Sequence, residues 1–242
     1  MGRQAGSTPF TGRIGEMSFY YNKKYGYLVR KKGGPDKGQI KRMKSFEEVR
    51  QNNSEFGEAS SCNKLIRSAF EPLFSLSKDY DSSRRLQALI VDAIRADKNN
   101  PQGQRKLRVE NLAALSFFAI STNQPANKFF SLPIREKRVK NGLKITFRSQ
   151  VPTLKKDNAT YWQVVGIAAR IDFEERSYTV EEKRTDMIRP TTRKKNFELQ
   201  YKFSGRGSDF YGLCICFYKE IDGKLHILDR VDLKGGFISF LK

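Results

Sequence analysis

The chain has 242 residues, and its 46 lysines and arginines exceed its 26 acidic residues, which gives a formal net charge of +20. Apolar residues make up only 38% and form no long uncharged run, so the composition excludes a membrane-spanning helix. Aromatic residues make up 12%, which is enough bulk to build a core and excludes wholesale disorder.

The first 44 residues are typical of a glycine-rich arm followed by a β-hairpin. Phe19–Tyr21 and Tyr27–Val29 are short β-prone runs, and Asn22–Gly26 provides a turn in which Gly26 can take a positive φ. The stretch Arg30–Gly38 that follows has glycines and a proline but no apolar residue, so it is predicted to be a loop.

The second segment has helical periodicity. Ser45 and Glu48 have the spacing of a capping box, and apolar residues then recur every three or four positions to about residue 75, where Pro72 predicts an end or a bend. A second amphipathic helix is predicted to begin in the Asp79–Ser83 cluster and to end before Lys98. Two such helices with a short linker should form an antiparallel pair.

From about residue 107 the apolar period changes to two. Asp222 and Gly223 form the strongest short-range signal for a hairpin turn. Alternation with turn residues between the runs predicts an antiparallel β-sandwich or a Greek-key barrel. The nine predicted strands are Leu115–Ile120, Phe129–Ile134, Leu143–Ser149, Tyr161–Phe173, Tyr178–Lys183, Asn196–Phe203, Gly212–Glu220, Lys224–Val231 and Gly236–Leu241.

The expected fold class is therefore α+β, with three successive parts. They are a basic arm and β-hairpin over 1–44, a helical hairpin over 45–106 and a β-sandwich domain over 107–242.

Several stretches of the first half resemble a family of uncharacterised bacterial proteins of about this length. They are Gly12–Gly15 with Phe19 and Tyr20, Gly26–Arg30, Arg50–Gly57, Lys64–Arg67, and Arg95–Asp97 with Gly103–Arg105. The resemblance covers roughly residues 10–105. It implies an N-terminal hairpin, a helical pair and a β-rich C-terminal half, and it implies no catalytic residue because the family has no established activity.

The residues offer little for catalysis, metals or cofactors. His226 is the single histidine, so every triad that depends on an imidazole would need this one residue. Cys214 and Cys216 lie on one face of a strand and lack partners at a zinc-site spacing. We therefore expect no enzyme, no metal site and no cofactor. Three cysteines cannot all pair, and reduced thiols indicate the cytoplasm.

The excess of basic over acidic residues lies in the first and the last of three segments of the chain. Residues 1–44 contain 11 basic and 2 acidic residues, residues 45–98 contain 8 and 9, and residues 99–242 contain 27 and 15. Such an excess favours a polyanion partner, and nucleic acid is the commonest one in a cell. In the hairpin the basic residues are interleaved with tyrosines that could stack on bases.

The predicted nucleic-acid contacts fall into three groups. Basic residues of the arm would contact phosphates, a second set lies in predicted loops of the β half, and exposed tyrosines would stack. The arm set is Arg13, Lys23, Lys24, Arg30, Lys31, Lys32, Lys41 and Arg42; the loop set is Arg135, Lys137, Arg138, Arg193, Lys194 and Lys195; the tyrosines are Tyr20, Tyr25 and Tyr27.

Two other interpretations stay open. The basic residues could simply solvate the surface, with the hairpin aromatics packed on the helices. Alternatively, the chain could be a self-assembling structural subunit whose N-terminal arm adds to a neighbouring copy. The leading hypothesis is a non-catalytic protein that binds DNA or RNA without sequence preference, with a homo-oligomer as a possible further partner and no membrane partner.

Overall fold

The computed structural model describes residues 2–6, 8–31, 33–121, 126–140, 142–150, 159–192, 194–229 and 235–241. The chain forms two compact units, Met1–Arg50 and Gln51–Lys242.

The first unit contains a four-stranded antiparallel sheet. The predicted hairpin is confirmed, since Tyr21 pairs with Tyr27, and the Asn22 side chain accepts hydrogen bonds from two backbone amides of the turn. The glycine-rich arm does not stay apart from the hairpin but adds one short strand to each of its edges. The strands are β1 (Gly2–Arg3), β2 (Gly12–Ile14), β3 (Met17–Asn22) and β4 (Gly26–Lys31), in the order β1-β4-β3-β2.

A short helix, α1 (Lys37–Arg42), follows, and its first two residues belong to the stretch Arg30–Gly38 that is predicted to be a loop. Asp36 and Gln39 form a reciprocal capping box at its start. The capping box predicted at Ser45 is wrong, because Ser45 lies inside a 3₁₀ turn over Lys44–Phe46 that leads directly into the next helix.

The predicted helical pair is confirmed. The helices are α2 (Glu47–Ala69), α3 (Glu71–Ser77) and α4 (Ser82–Arg95). Pro72 lies in the first turn of α3, where its missing amide costs nothing, so it starts a new helix after the break at Phe70. The amide of Asn63 on α2 donates to the Ser83 carbonyl and the Gln87 side chain on α4, at 3.0 and 2.9 Å.

All nine predicted regions of the β half contain a strand. The first is reduced to two residues: a 3₁₀ helix, Val109–Leu115, ends on its first residue, and Phe117 takes a positive φ that an extended strand does not allow. At the turn that follows Ile221, Asp222 and Gly223 both take positive φ, as the Asp-Gly signal requires. The strands are β5 (Phe118–Ala119), β6 (Phe130–Val139), β7 (Gly142–Gln150), β8 (Tyr161–Asp172), β9 (Ser177–Arg184), β10 (Lys194–Lys202), β11 (Ser208–Ile221), β12 (Lys224–Ile227) and β13 (Gly235–Phe240).

These strands form two antiparallel sheets. A three-stranded sheet has the order β10-β7-β6, and a larger sheet has the order β5-β13-β11-β8-β9, with β12 paired to β11. The inner faces of the two sheets share one buried core, which includes Leu143, Phe147, Trp162 and Leu213. The fold is therefore α+β, and its β half is a sandwich.

A second core lies on the opposite face of the larger sheet. Side chains of α2, α3 and α4, among them Ile66, Leu73 and Ile90, pack there with Ile167 and Phe210. Both faces of β8 and β11 are consequently buried. Along the three-stranded sheet the described side chains alternate between this core and an outer face, and the outer face carries the polar ones.

Candidate nucleic-acid interface

The N-terminal sheet gathers three arginines on one face. Residues that pair directly across antiparallel strands point to the same side of a sheet, and Ser18 pairs with both Arg13 and Arg30, while Leu28 pairs with both Arg3 and Tyr20. We call Arg3, Arg13, Tyr20 and Arg30 the arginine face. The Arg30 guanidinium lies 5.5 Å from the centre of the Tyr20 ring.

The arginines of this face are exposed, and none of the ion pairs in the described part of the chain involves them. Sequence reasoning found Arg13 and Arg30 but missed Arg3. Its strand has only two residues, too few for any periodic pattern, so the pairing with Leu28 could not be read from the sequence.

The opposite face of this sheet is apolar and aromatic. Ile14, Met17 and Phe19 lie there with Tyr21 and Tyr27, whose ring centres are 5.1 Å apart. We call these five residues the apolar face. Lys31 borders it, and its ammonium group lies 3.0 Å from a Glu16 carboxylate oxygen, so this predicted phosphate contact is already neutralised.

The structure does not bring the three predicted stacking tyrosines together. Tyr20 belongs to the arginine face and Tyr27 to the apolar face. Tyr25 lies in the hairpin turn, where the Lys24 ammonium group is 5.1 Å from its ring centre. The predicted contacts Lys23, Lys24, Lys41 and Arg42 are exposed in that turn and on α1, and Lys32 lies outside the described residues.

In the β half, the prediction that Arg135–Arg138 lie in a loop is wrong, because these residues continue β6. Consecutive residues of a strand point to opposite faces, so Glu136 and Arg138 turn towards the larger sheet. Glu136 accepts a hydrogen bond from the Tyr211 hydroxyl at 3.0 Å. Arg138, whose side chain is still 58% exposed, lies 3.4 Å from the buried Asp209 carboxylate, which matches its charge.

Asp209 is also held by a second arginine. The Arg170 guanidinium donates two hydrogen bonds to it, at 2.7 and 3.1 Å, and these bonds raise the pKa of Arg170. This clamp joins β8, β11 and β6 at the rim of the sandwich, so Arg138 has a structural role there. That leaves the outward residues of β6 as the candidates for an external ligand.

The outer face of the three-stranded sheet is strongly basic. The register places Lys137 opposite Lys144, Thr146 opposite Arg135, and Asn196 opposite Arg148, all outward. Glu198 is the single carboxylate among the described outward residues of this sheet, and it lies 2.7 Å from Lys144. We define the small-sheet face by its basic residues Arg135, Lys137, Lys144, Arg148 and Lys202.

Sequence reasoning placed the basic cluster of β10 in a loop as well, which is wrong, because Lys194 and Lys195 open the strand. Lys195 points to the core side, with its ammonium group 5.5 Å from the Phe197 ring centre. Arg193 lies outside the described residues. Lys144, Arg148 and Lys202 were missed, although their alternation with buried residues of the predicted strands was a usable signal.

The single histidine and the three cysteines are the residues to consider for metal or nucleophilic chemistry. His226 is exposed on β12, and no group of three or more metal-ligating side chains is present in the described ranges. Cys62, Cys214 and Cys216 are buried, and none of them forms a disulfide bond. Burial raises the pKa of Cys62 to about 11, which leaves almost no thiolate for nucleophilic chemistry near neutral pH.

Comparisons with known proteins add no function. No family model, curated protein or solved structure matches the chain, so the resemblance of its first half to a bacterial family stays a prediction. Among the described helices, none is both long and apolar enough to cross a membrane.

Proposed function

We propose that the protein binds nucleic acid through its phosphate backbone, without catalysis. The observation that carries this proposal is the arginine face of the N-terminal sheet. Arg3, Arg13 and Arg30 come from three different strands, share one side of the sheet and have no acidic partner among the described residues.

Arginine suits this role because its planar guanidinium group can donate two parallel hydrogen bonds to one phosphate. Tyr20 lies on the same side of the sheet, where its half-buried ring is next to the Arg30 guanidinium. Such a face can neutralise a sugar-phosphate backbone and stack on an exposed base. Phosphate contacts carry no sequence information, so we expect DNA and RNA of mixed sequence to bind alike.

The test is a filter-binding titration with labelled mixed-sequence DNA and RNA. The variant Arg3→Gln/Arg13→Gln/Arg30→Gln should bind more weakly, and the slope of log K against log salt should become less negative, by about 2.7 for duplex DNA at about 0.9 for each lost contact and by about 2.1 for single strands at about 0.7. Three exposed lysines of the second unit, Lys64, Lys98 and Lys224, provide a control variant to glutamine with the same charge change.

The control should retain the affinity and salt slope of the wild type. If the arginine variant and the control bind equally well, the arginine face is not the interface. If the wild-type chain binds neither DNA nor RNA at low salt, the proposed function is wrong.

The apolar face favours a second candidate, self-assembly of two copies of the chain. Ile14 is 61% exposed and Tyr21 57%, which is unusual for side chains of this size on a sheet. Two such faces could pack without burying an unmatched charge, because Lys31 already pairs with Glu16. Light scattering should then detect a concentration-dependent dimer that Ile14→Asp/Tyr21→Asp abolishes; a monomer at all concentrations would exclude it.

A further inference from the structure

We infer that the small-sheet face is a second nucleic-acid contact, and that it binds the backbone of a double-stranded nucleic acid. This inference rests on the proposed function and deepens it, because it names the form of the ligand. It is carried by side chains of the sandwich alone.

Two lysines of the small-sheet face form a like-charge pair across neighbouring strands. Lys137 and Lys144 are directly opposed in the register of β6 and β7, and like charges in that position destabilise a sheet. Lys144 is matched by Glu198 at 2.7 Å, but Lys137 has no carboxylate partner among the described residues. A phosphate bound over these two lysines, on the outer face of the sheet, would compensate the charge of Lys137.

The cations of the small-sheet face cover a wide area. Neighbouring strands lie about 4.8 Å apart, so three strands give a face about 10 Å wide, and the four-residue step from Lys144 to Arg148 extends about 13 Å along it. Lys202 lies at the β10 edge and Arg135 on β6. The cations thus spread over an area that can meet several phosphates at once.

The small-sheet face is anchored by the sandwich core beneath it. Leu143, Ile145 and Phe147 alternate with the outward residues of β7 and are buried in the sandwich core. This burial fixes the backbone positions from which Lys144 and Arg148 project. The backbone under the basic residues is therefore fixed before any ligand arrives, which reduces the ordering cost of binding.

The composition of the small-sheet face favours a duplex as the ligand. The described neutral polar side chains of this outer face include Thr146, Asn196 and Gln200, and no aromatic residue of the described outward positions joins them. Proteins that hold single strands stack the bases on aromatic side chains. A face with cations but no rings instead suits a duplex, whose phosphates lie outside and whose bases are stacked within.

The experiment compares duplex and single-strand binding by fluorescence anisotropy with the full chain. The probes are a labelled mixed-sequence DNA duplex and one of its strands alone. The variant Lys137→Gln/Arg148→Gln/Lys202→Gln changes three exposed side chains that have no ion pair in the described part of the chain. The lysine control variant of Lys64, Lys98 and Lys224 removes the same charge elsewhere.

For the duplex, we expect the salt slope of the face variant to become about 2.7 less negative, at about 0.9 for each lost phosphate contact. The control should keep the wild-type slope, and binding of the single strand should fall much less. Circular dichroism of both variants checks that the fold is retained.

Each other outcome overturns a distinct claim. If the face variant binds the duplex like the control while the wild type binds well, the second contact is wrong and the proposed function stands. Equal losses for duplex and single strand would refute the choice of a duplex. Failure of the wild type to bind either probe would refute the proposed function itself.

Discussion

Substitution of Gly166 tests how the two sheets of the sandwich meet. Gly166 lies within β8, and a Cβ atom there would come 2.3 Å from the Tyr201 hydroxyl oxygen and 2.7 Å from Cδ1 of Leu199, both on β10. Real Cβ contacts are essentially never so short, so Gly166→Ala must displace the Tyr201 and Leu199 side chains in a packed core. Tyr201 is fully buried, and its hydroxyl finds no hydrogen-bond partner in the described ranges.

The magnitude follows from two opposing effects. Overpacking of a core costs about 1–3 kcal/mol, whereas alanine in place of a strand glycine returns about 0.5–1 kcal/mol of conformational entropy. We expect Gly166→Ala to lower the free energy of unfolding by about 1–2 kcal/mol. Tyr201→Phe removes the obstructing hydroxyl and an unsatisfied buried polar group, so it should raise that free energy by about 1 kcal/mol.

The double variant Gly166→Ala/Tyr201→Phe should show that the two residues interact. Once the hydroxyl is gone, most of the clash with the added methyl group is relieved, and the coupling energy should reach at least about 1 kcal/mol. Urea unfolding can be followed by the fluorescence of Trp162, the single tryptophan, which is buried in this same core. A Gly166→Ala variant as stable as the wild type, or strictly additive effects, would refute this packing.

Three further predictions concern buried ionisable groups. Asp209→Asn should lower the free energy of unfolding by about 2 kcal/mol, since it leaves Arg170 without its charge partner; an unchanged urea midpoint would contradict this. Hydrogen bonds from Asn100 and from backbone amides hold the pKa of Asp97 well below its usual range. The carboxylate therefore stabilises the fold at pH values above its unfolded pKa of about 4, and this stabilisation is lost as the pH falls. Asp97→Asn should therefore shift the urea midpoint strongly at pH 7 and progressively less as the pH falls below about 4, and a shift that does not change with pH would count against the assignment. Cys62, with a pKa of about 11, should react with iodoacetamide at pH 8 only after unfolding; rapid labelling of the native thiol would show that it is not buried.

Most of the fold could be predicted because long elements leave periodic patterns. The alternation of Phe197, Leu199 and Tyr201 with polar residues identified β10, and the helical stripe that includes Leu86 and Ile90 identified α4. The strands of the arm left no such pattern. Their two or three residues are held by pairing with the distant hairpin, which no local window reports.

The candidate site was harder to predict for a related reason. Residues 135–138 are all charged, so their sequence has no apolar face and was assigned to a loop. Glu136 and Arg138 can point inwards only because Tyr211 and Asp209 of the larger sheet meet them there. Such partners come from tertiary structure, whereas the outward lysines of β7 and β10 could have been found by alternation.

The salt dependence of duplex binding by the full chain tests the central claim most directly. If the three arginines of the N-terminal sheet and Lys137, Arg148 and Lys202 of the small-sheet face each meet a phosphate, the slope of log K against log salt should be about −5. Affinity should then fall about a thousandfold between 50 and 200 mM salt. A slope near zero would mean that these basic faces do not contact phosphates, and it would contradict the account.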